Sequence, residues 1–432
     1  MHRTVVGFLA GALLWGAAPT VAMGLPVVIP TTPVLVTAPT PAGVKAAVRP
    51  IMRDPALGAV SASVALVATG EELYRMKSDI PRIPGSTVKL ATAAAALQIL
   101  GPDTRLRTEV RQSGEILTLI GGGDATLVRA KGGNPMAGGS ASLKDLAEQV
   151  AGTLPPGSRV RVRYDTSAFQ GPTLGPGWSR ALVASGNVAP VSALMTNEGR
   201  VSRGSRSRVN DPAKFAAEQF ADLLRQQGVR VRSVKKGEAS PDSIVLASVS
   251  SPPVYELVQR MLRDSLNDLA ESLGHLVGGS ALQDPSFTGG AQATMQALRS
   301  LSVPMDGVRI VDGSGLSGQN RIPSSTLTAL LTTVAQGRNP ALAAIGAGLP
   351  VAGETGTLSE RFTKRPTKKA AGMVRAKTGT LTGVTSLSGT VMDRDGHLMT
   401  FTIIANRIPS IPAARAAVDR FATALAMCGC VK

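Results

Sequence analysis

The sequence predicts an α+β fold: an antiparallel sheet flanked by helices on both sides, with a long inserted α/β region. Three observations carry that expectation. Two hairpins lie far apart in the chain, Ala59 to Ala68 with Glu72 to Met76 about Thr69-Gly70, and Ser386 to Met392 with Leu398 to Ile404 about Asp393-Arg394-Asp395-Gly396. Apolar helical segments accompany both, Ala91 to Leu100 after the first and Pro412 to Met427 after the second. Between them, strand-like and helix-like runs alternate over roughly residues 108–247.

Taken in order, the first hairpin leads into Ala91 to Leu100, which is almost wholly apolar and stops at Gly101-Pro102. A helix apolar all round is a buried one. From Arg105 the pattern turns to strands, Arg107 to Arg111 and Glu115 to Ile120, then a helix at Leu143 to Leu154 and a strand at Arg159 to Tyr164. Gly171 to Gly177 is rich in glycine and proline, and Lys214 to Gln227 reads as a helix opened by Asp211-Pro212. Helical spacing returns in Val254 to Leu276 through Leu257, Val258, Met261, Leu262, Leu266, Leu269 and Leu273. The last helix has Val418, Phe421 and Leu425 on one face. No internal repeat is evident.

With 432 residues, 43% of them hydrophobic, the chain builds more than one core. We divide it into a signal at 1–22, a Pro-rich linker at 23–43, a catalytic domain in two parts (44–107 and 248–427), the insertion at 108–247 and a tail at 428–432. His2 and Arg3, the apolar run Val5 to Ala18 and the site Thr20-Val21-Ala22 read as a secretory signal. The predicted location is therefore the periplasmic or cell-wall space, with a membrane tether as the outcome if the N-terminus is retained. Pro26, Pro30, Pro33, Pro39 and Pro41 mark the linker.

The net charge is +17, but aromatics are only 3% of residues, which leaves little for base stacking. With an exported chain, nucleic acid is excluded; anionic envelope polymers or lipid surfaces fit as partners, and an ordinary solvated basic surface fits the charge equally well. The two cysteines, Cys428 and Cys430, sit at the tail, where a bridge across one residue makes a small ring; they read as free or intermolecular thiols. No Cys/His cluster has metal-ligand spacing, and we assign no metal and no cofactor. His2, His275 and His397 are the only histidines, a poor basis for a Ser-His-Asp triad.

Lysine is the alternative base, and three short motifs supply one. Ser86-Thr87-Val88-Lys89 stands at the mouth of the buried helix. There Ser86 meets unpaired N–H groups and the positive end of the helix dipole. Lys89, about one turn on, can take the Ser86 proton if burial keeps it neutral. Ser265-Leu266-Asn267 lies inside a helical pattern, and residues two apart do not share a helix face, so a break near Ser265 is expected. Lys377-Thr378-Gly379-Thr380 precedes the second hairpin; Gly379 allows close approach of a ligand backbone, and the Lys377 amine and Thr378 and Thr380 hydroxyls suit a carboxylate. The N–H of Thr380 is expected to complete an oxyanion hole with that of Ser86. Each motif has a rival copy: Ser233 to Lys236, Ser185 to Asn187, and Glu354-Thr355-Gly356-Thr357. The basic run Arg230 to Lys236 has no apolar helix behind it, and Glu354 has the wrong charge.

The ordered trio, with its flanks, resembles the D-alanyl-D-alanine carboxypeptidase/endopeptidase family, the class C low-molecular-mass penicillin-binding proteins. The resemblance runs from about Ala59 to Ala426. It rests also on Pro84-Gly85 and Leu90 around the first motif, Gly121-Gly122-Gly123-Asp124-Ala125-Thr126-Leu127, Ser251-Pro252-Pro253, Ala270-Glu271, Asp312-Gly313-Ser314-Gly315-Leu316-Ser317, Leu349 to Gly353 and Gly356-Thr357-Leu358. Ala125 replaces a proline, and Leu266 stands where the family more often has a small polar residue. The resemblance implies a penicillin-binding-protein/β-lactamase-like transpeptidase fold with domains inserted between the first two motifs. It implies Ser86 as nucleophile, Lys89 as base, Ser265 and Asn267 as relay and positioning groups, Lys377 and Thr378 as carboxylate binders, and Asp312 and Ser314 as shapers of the cleft. The implied substrate is the D-alanyl-D-alanine end of peptidoglycan stem peptides, with β-lactams as covalent inhibitors. A β-lactamase or esterase on the same scaffold, and an inactive wall-binding scaffold, are the rival readings.

Overall fold

The computed structural model describes residues 37–131 and 141–430. The signal at 1–22 and most of the linker lie outside the described residues. Pro41 does not continue an extended linker. It opens helix α1 (Pro41–Met52), with Thr40 accepting the Gly43 N–H on its side chain. Proline suits a first helical turn because its φ is already helical and its missing N–H would have no partner there.

Strands β1 (Ala59–Leu66) and β2 (Glu72–Met76) form the first hairpin. A 3-10 turn, Gly85–Val88, runs into α2 (Lys89–Ala95), which ends in a π turn, Ala96–Leu100. Next come β3 (Arg105–Ser113), β4 (Ile116–Ile120), α3 (Leu143–Thr153), β5 (Arg159–Asp165), α4 (Ala181–Ala184), α5 (Pro212–Gln226), β6 (Arg230–Lys236) and β7 (Ile244–Pro253). The helices α6 (Val254–Asp264), α7 (Asn267–Leu282), α8 (Phe287–Ser300), α9 (Ser324–Ala335) and α10 (Ala343–Gly348) follow. Strands β8 (Val374–Leu381), β9 (Val384–Met392) and β10 (Leu398–Asn406), then α11 (Ile411–Ala426), complete the chain.

The first sheet has the order β2-β1-β10-β9-β8, with antiparallel neighbours throughout. The two distant hairpins meet in it: β1 pairs β10 from Ala59↔Asn406 to Leu66↔Met399. Both faces are covered. Ile403 packs with Val44, Val48, Phe421 and Leu425 on the α1/α11 side, while Ile404 packs with Leu90, Leu257, Leu273 and Leu330 on the other. Successive strand residues face opposite ways, so a strand buried on both faces is apolar nearly throughout. β10 is buried along nearly its whole length, and its two threonines, Thr400 and Thr402, are buried with their hydroxyls paired to Thr332 and Ser388. The predicted α+β class, with helices on both sides of an antiparallel sheet, is the observed one.

The second sheet has the order β6-β5-β4-β3-β7. Its strands β4, β5 and β6 are parallel, and β3 is antiparallel to both β4 and β7. Helices α3 and α5 close a separate core around Val110, Leu119, Val162 and Phe220. Residues 108 and 247 fall inside the paired strands β3 and β7, where Thr108↔Val249 and Val110↔Ala247 are partners.

Cys428 and Cys430 correct one expectation. They are bonded to each other in a disulfide, with Cα atoms 4.9 Å apart, not free or intermolecular. The tail turns back after α11, and the Thr40 N–H and hydroxyl both donate to the Cys430 carbonyl, at 2.8 and 3.1 Å. Among the described residues, no helix is long and apolar enough to cross a membrane.

Candidate active site

Gly85, at φ +57°, bends the chain into the 3-10 turn that carries Ser86. The helix behind it is fully buried, as its composition predicts, and it carries Lys89 into the interior with no exposure. The Lys89 Nζ lies 3.1 Å from Ser86 Oγ, 2.6 Å from Asn267 Oδ1 and 2.7 Å from the Ser314 carbonyl. Burial pulls the Lys89 amine down to about 8, against the pull of the Glu271, Asp312 and Asp268 carboxylates. An amide oxygen and a carbonyl can only accept. A neutral amine therefore spends its two hydrogens on them, and its lone pair is left facing the Ser86 hydroxyl.

The predicted break in the second motif is present. Helix α6 ends at Ser265, which adopts a left-handed conformation at φ +58°, and α7 starts at Asn267. The kink brings Ser265 and Asn267 to one cleft, and Leu266 packs back against the helical core. A larger apolar residue at that position thus leaves both polar groups in place. Lys377, on β8, is also fully buried; its Nζ donates to Ser265 Oγ and to the Thr378 carbonyl, each at 2.9 Å. Burial first, and the neighbouring Lys89 second, hold the Lys377 amine well below its ordinary value. The four predicted groups Ser86, Lys89, Asn267 and Lys377 are therefore linked around one site.

The cleft encloses about 550 Å³ and is lined by Ser86, Ser265, Asn267, Thr378 and Thr380. Lys377 does not line it: its amine turns inward to Ser265, and Thr378 Oγ1 is 2.8 Å from Thr357 Oγ1. At Gly379 the strand touches the turn that carries Ser86. A Cβ there would sit 2.5 Å from the Pro84 carbonyl and 3.2 Å from the Ser86 nitrogen, while one on Gly85 would be 3.2 Å from the Thr380 nitrogen. Two glycines thus let the main chains of Ser86 and Thr380 come together. Gly379→Ala is expected to push β8 off this turn and cut turnover by about 10²-fold, the scale of a misplaced or lost oxyanion donor. Steady-state kinetics of the purified variant checks this, and unchanged turnover would refute it.

Asp312 and Ser314 support the site from behind. Asp312 accepts the N–H groups of Gly315 (2.9 Å) and Ser317 (2.6 Å), the Asn320 amide (2.7 Å) and the Trp178 indole N–H (2.8 Å). This holds the loop whose Ser314 carbonyl meets Lys89. Glu271, buried in α7, accepts Ser314 N–H at 2.7 Å and Gly313 N–H at 3.0 Å. Burial and the Asp312 carboxylate push Glu271 up to about 8.

Sequence reasoning missed several neighbours. Glu271 entered only as a flank, and Trp178, one residue past the glycine- and proline-rich Gly171 to Gly177, did not enter at all. Asn187 and Thr357 belong to two of the rival motif copies, and both line the cleft. Arg361, paired with Asp419, and the exposed Arg415 complete one wall. The third rival, Ser233 to Lys236, lies on the edge strand β6. Neither described histidine lines the cleft. His275 packs between Phe169 and Phe287, and His397 faces Asp393.

The sequence pattern of a family described as "D-Ala-D-Ala carboxypeptidase 3 (S13) family" matches residues 44–207 and 202–425. The chain is 38% identical over 413 residues to carboxypeptidase DacB of Mycolicibacterium smegmatis, covering 92% of this chain and 87% of that one. It is 31% identical over 464 residues to a D-alanyl-D-alanine carboxypeptidase of Actinomadura sp., covering 87% and 83%. Among solved structures, penicillin binding protein 4 (dacB) of Haemophilus influenzae shares the fold, with TM-score 0.73, 20% identity and coverage of 87% and 97%. A second structure of that protein is a complex with a β-lactam, at TM-score 0.68, 19% identity and the same coverage.

Proposed function

The chain belongs to the D-Ala-D-Ala carboxypeptidase 3 (S13) family, and on that premise we propose that it is a serine-type hydrolase of the D-alanyl-D-alanine terminus of peptidoglycan stem peptides. The observation that carries the serine reading is the Lys89 amine, buried, lowered to about 8 and 3.1 Å from Ser86 Oγ. Ser86 Oγ attacks the carbonyl of the terminal peptide bond as its proton passes to the Lys89 lone pair. The oxyanion takes hydrogen bonds from the Ser86 and Thr380 N–H groups. The proton then reaches the departing D-alanine amine through the Ser265 hydroxyl, which Lys377 holds. Water then attacks the ester carbonyl as Lys89 takes its proton, the bond to Ser86 Oγ breaks, Lys89 returns the proton to Oγ, and the shortened peptide leaves as the acid.

The substrate's terminal carboxylate meets the Thr378 and Thr380 hydroxyls, with Lys377 charging behind them, because a bound anion favours the protonated amine. A cross-link cleaved internally carries its carboxylate elsewhere, so carboxypeptidase action leads and endopeptidase action is secondary. β-Lactams imitate the substrate and acylate the same hydroxyl. A peptidoglycan substrate places the protein in the cell envelope; export by the N-terminal segment and attraction of the +17 chain to anionic envelope polymers fit that location. The second sheet with α3 and α5 is then the insertion in the catalytic domain.

Incubation with a model pentapeptide is expected to release one D-alanine per peptide, and intact mass after β-lactam treatment is expected to rise by one drug molecule. Rapid loss of the adduct without D-alanine release would instead mark a β-lactamase. Absence of both would mark an inactive scaffold.

A further inference from the structure

We infer that a buried ion pair, Arg208 with Asp268, positions the proposed catalytic amide: it fixes the Asn187 carbonyl, and that carbonyl decides which way round Asn267 faces Lys89. This rests on the Ser86–Lys89 reading above. Asp268 directly follows Asn267 on α7, and Arg208 comes from the long segment between β5 and α5. Their side chains are 1% and 3% exposed, with Arg208 Nη2 3.0 Å from Asp268 Oδ2.

The pair grips the loop on both sides of Asn187. Arg208 Nε donates to the Gly186 carbonyl at 3.2 Å, and Asp268 Oδ1 accepts the Ala189 N–H at 2.7 Å. Arg208 Nη1 also donates to the Glu198 carbonyl at 2.5 Å. Gly186, at φ +75°, makes the bend and leaves no room for a side chain against the Arg206 carbonyl. The loop so held presents the Asn187 carbonyl to Asn267 Nδ2 at 2.8 Å.

That contact has a chemical consequence. An amide has a donating end and an accepting end of nearly the same shape. With Nδ2 committed to the Asn187 carbonyl, Oδ1 must face Lys89, which keeps the amine lone pair free for Ser86. Were the carbonyl displaced, the amide could turn over, and Nδ2 would then compete with Ser86 for that lone pair. The pair also acts through charge. The groups facing Lys89 are Glu271 and Asp268 on α7, Asp312 on its loop, and Lys377 on β8. Those facing Asp268 are Arg208 and Glu198. Loss of the Asp268 charge removes one support of the protonated Lys89 amine.

The test uses the full chain and a fluorescent penicillin. Its readouts are the acylation rate per active molecule, the fraction of molecules labelled, and the pH dependence of the rate. Burial already pushes Asp268 up to about 7 against the pull of Arg208, so without the guanidinium the carboxyl holds its proton and its support of the Lys89 cation is lost; Arg208→Met is therefore expected to slow acylation about tenfold on the alkaline plateau and to move the acid limb to lower pH. Asp268→Asn, isosteric and still able to accept the Ala189 N–H, is the second variant if the first does not fold; its limb is expected to move the same way. An unchanged rate and limb in the folded variants would overturn the inference. So would a smaller labelled fraction with an unchanged rate per active molecule, since that marks a purely structural role. An unlabelled wild type would overturn the Ser86 reading itself, and a labelled wild type beside unaltered variants would sink only the anchor.

Discussion

Ser86→Ala is expected to abolish covalent labelling by penicillin and to lower D-alanine release by at least about 10⁴-fold, the scale seen when a nucleophile is removed from a preorganised site. The fold should tolerate the change. Ser86 Oγ contacts Lys89 Nζ, but the amine keeps two acceptors, Asn267 Oδ1 and the Ser314 carbonyl, when that hydroxyl is gone. The 3-10 turn itself depends on Gly85 and on the Thr87 hydroxyl, which donates to the Pro84 carbonyl at 2.8 Å. Intact-mass detection of the penicilloyl adduct, with thermal melting as the control, is the measurement. Equal labelling of wild type and variant would exclude Ser86 as the acylated group.

Lys89→Met carries the second largest effect, a fall of about 10³-fold in acylation, within the range for loss of a general base. The chain length is nearly preserved, so packing in the helical core is largely kept. The pH dependence separates loss of a base from loss of shape. The proposed reactive form of Lys89 is the neutral amine, and burial places its titration near pH 8. Wild-type acylation should therefore rise with pH through about 8 and level off above it, with about a tenth of the plateau rate at pH 7. In Lys89→Met that limb should vanish. A variant that retained it would assign the titration to another group, of which buried Glu271, also pushed up to about 8, is the nearest.

Much of this site was readable before any fold was known. The turn Gly85–Val88 and its buried helix follow from an apolar run behind a glycine, and the break at Ser265 follows from the demand that two residues two apart share a cleft. Strand assignments in the first sheet came from runs placed about the turn residues Thr69-Gly70 and Asp393 to Gly396, which are local signals. The reading failed where distance in sequence hid closeness in space. Pro41 looked like one more linker proline, although Thr40 and the Cys430 carbonyl make it a helix start. Ser185 to Asn187 was set aside as a rival copy, and Thr357, although part of the matching segment Gly356-Thr357-Leu358, was given no place in the site, yet Asn187 and Thr357 stand on the cleft beside Asn267 and Thr378.

The sequence by itself determined the α+β class, the order of the motif residues and the buried helix beneath the nucleophile, because those depend on periodicity and on local backbone preference. Tertiary structure decided the charge state and aim of the groups. Lys377 was expected to reach into the cleft and instead turns to Ser265. Glu271, Trp178 and the Arg208–Asp268 pair emerged only when helices and loops far apart in the chain closed around Lys89. The physical reason is that desolvation and hydrogen-bond direction belong to an enclosed volume, and only the packed chain creates that volume.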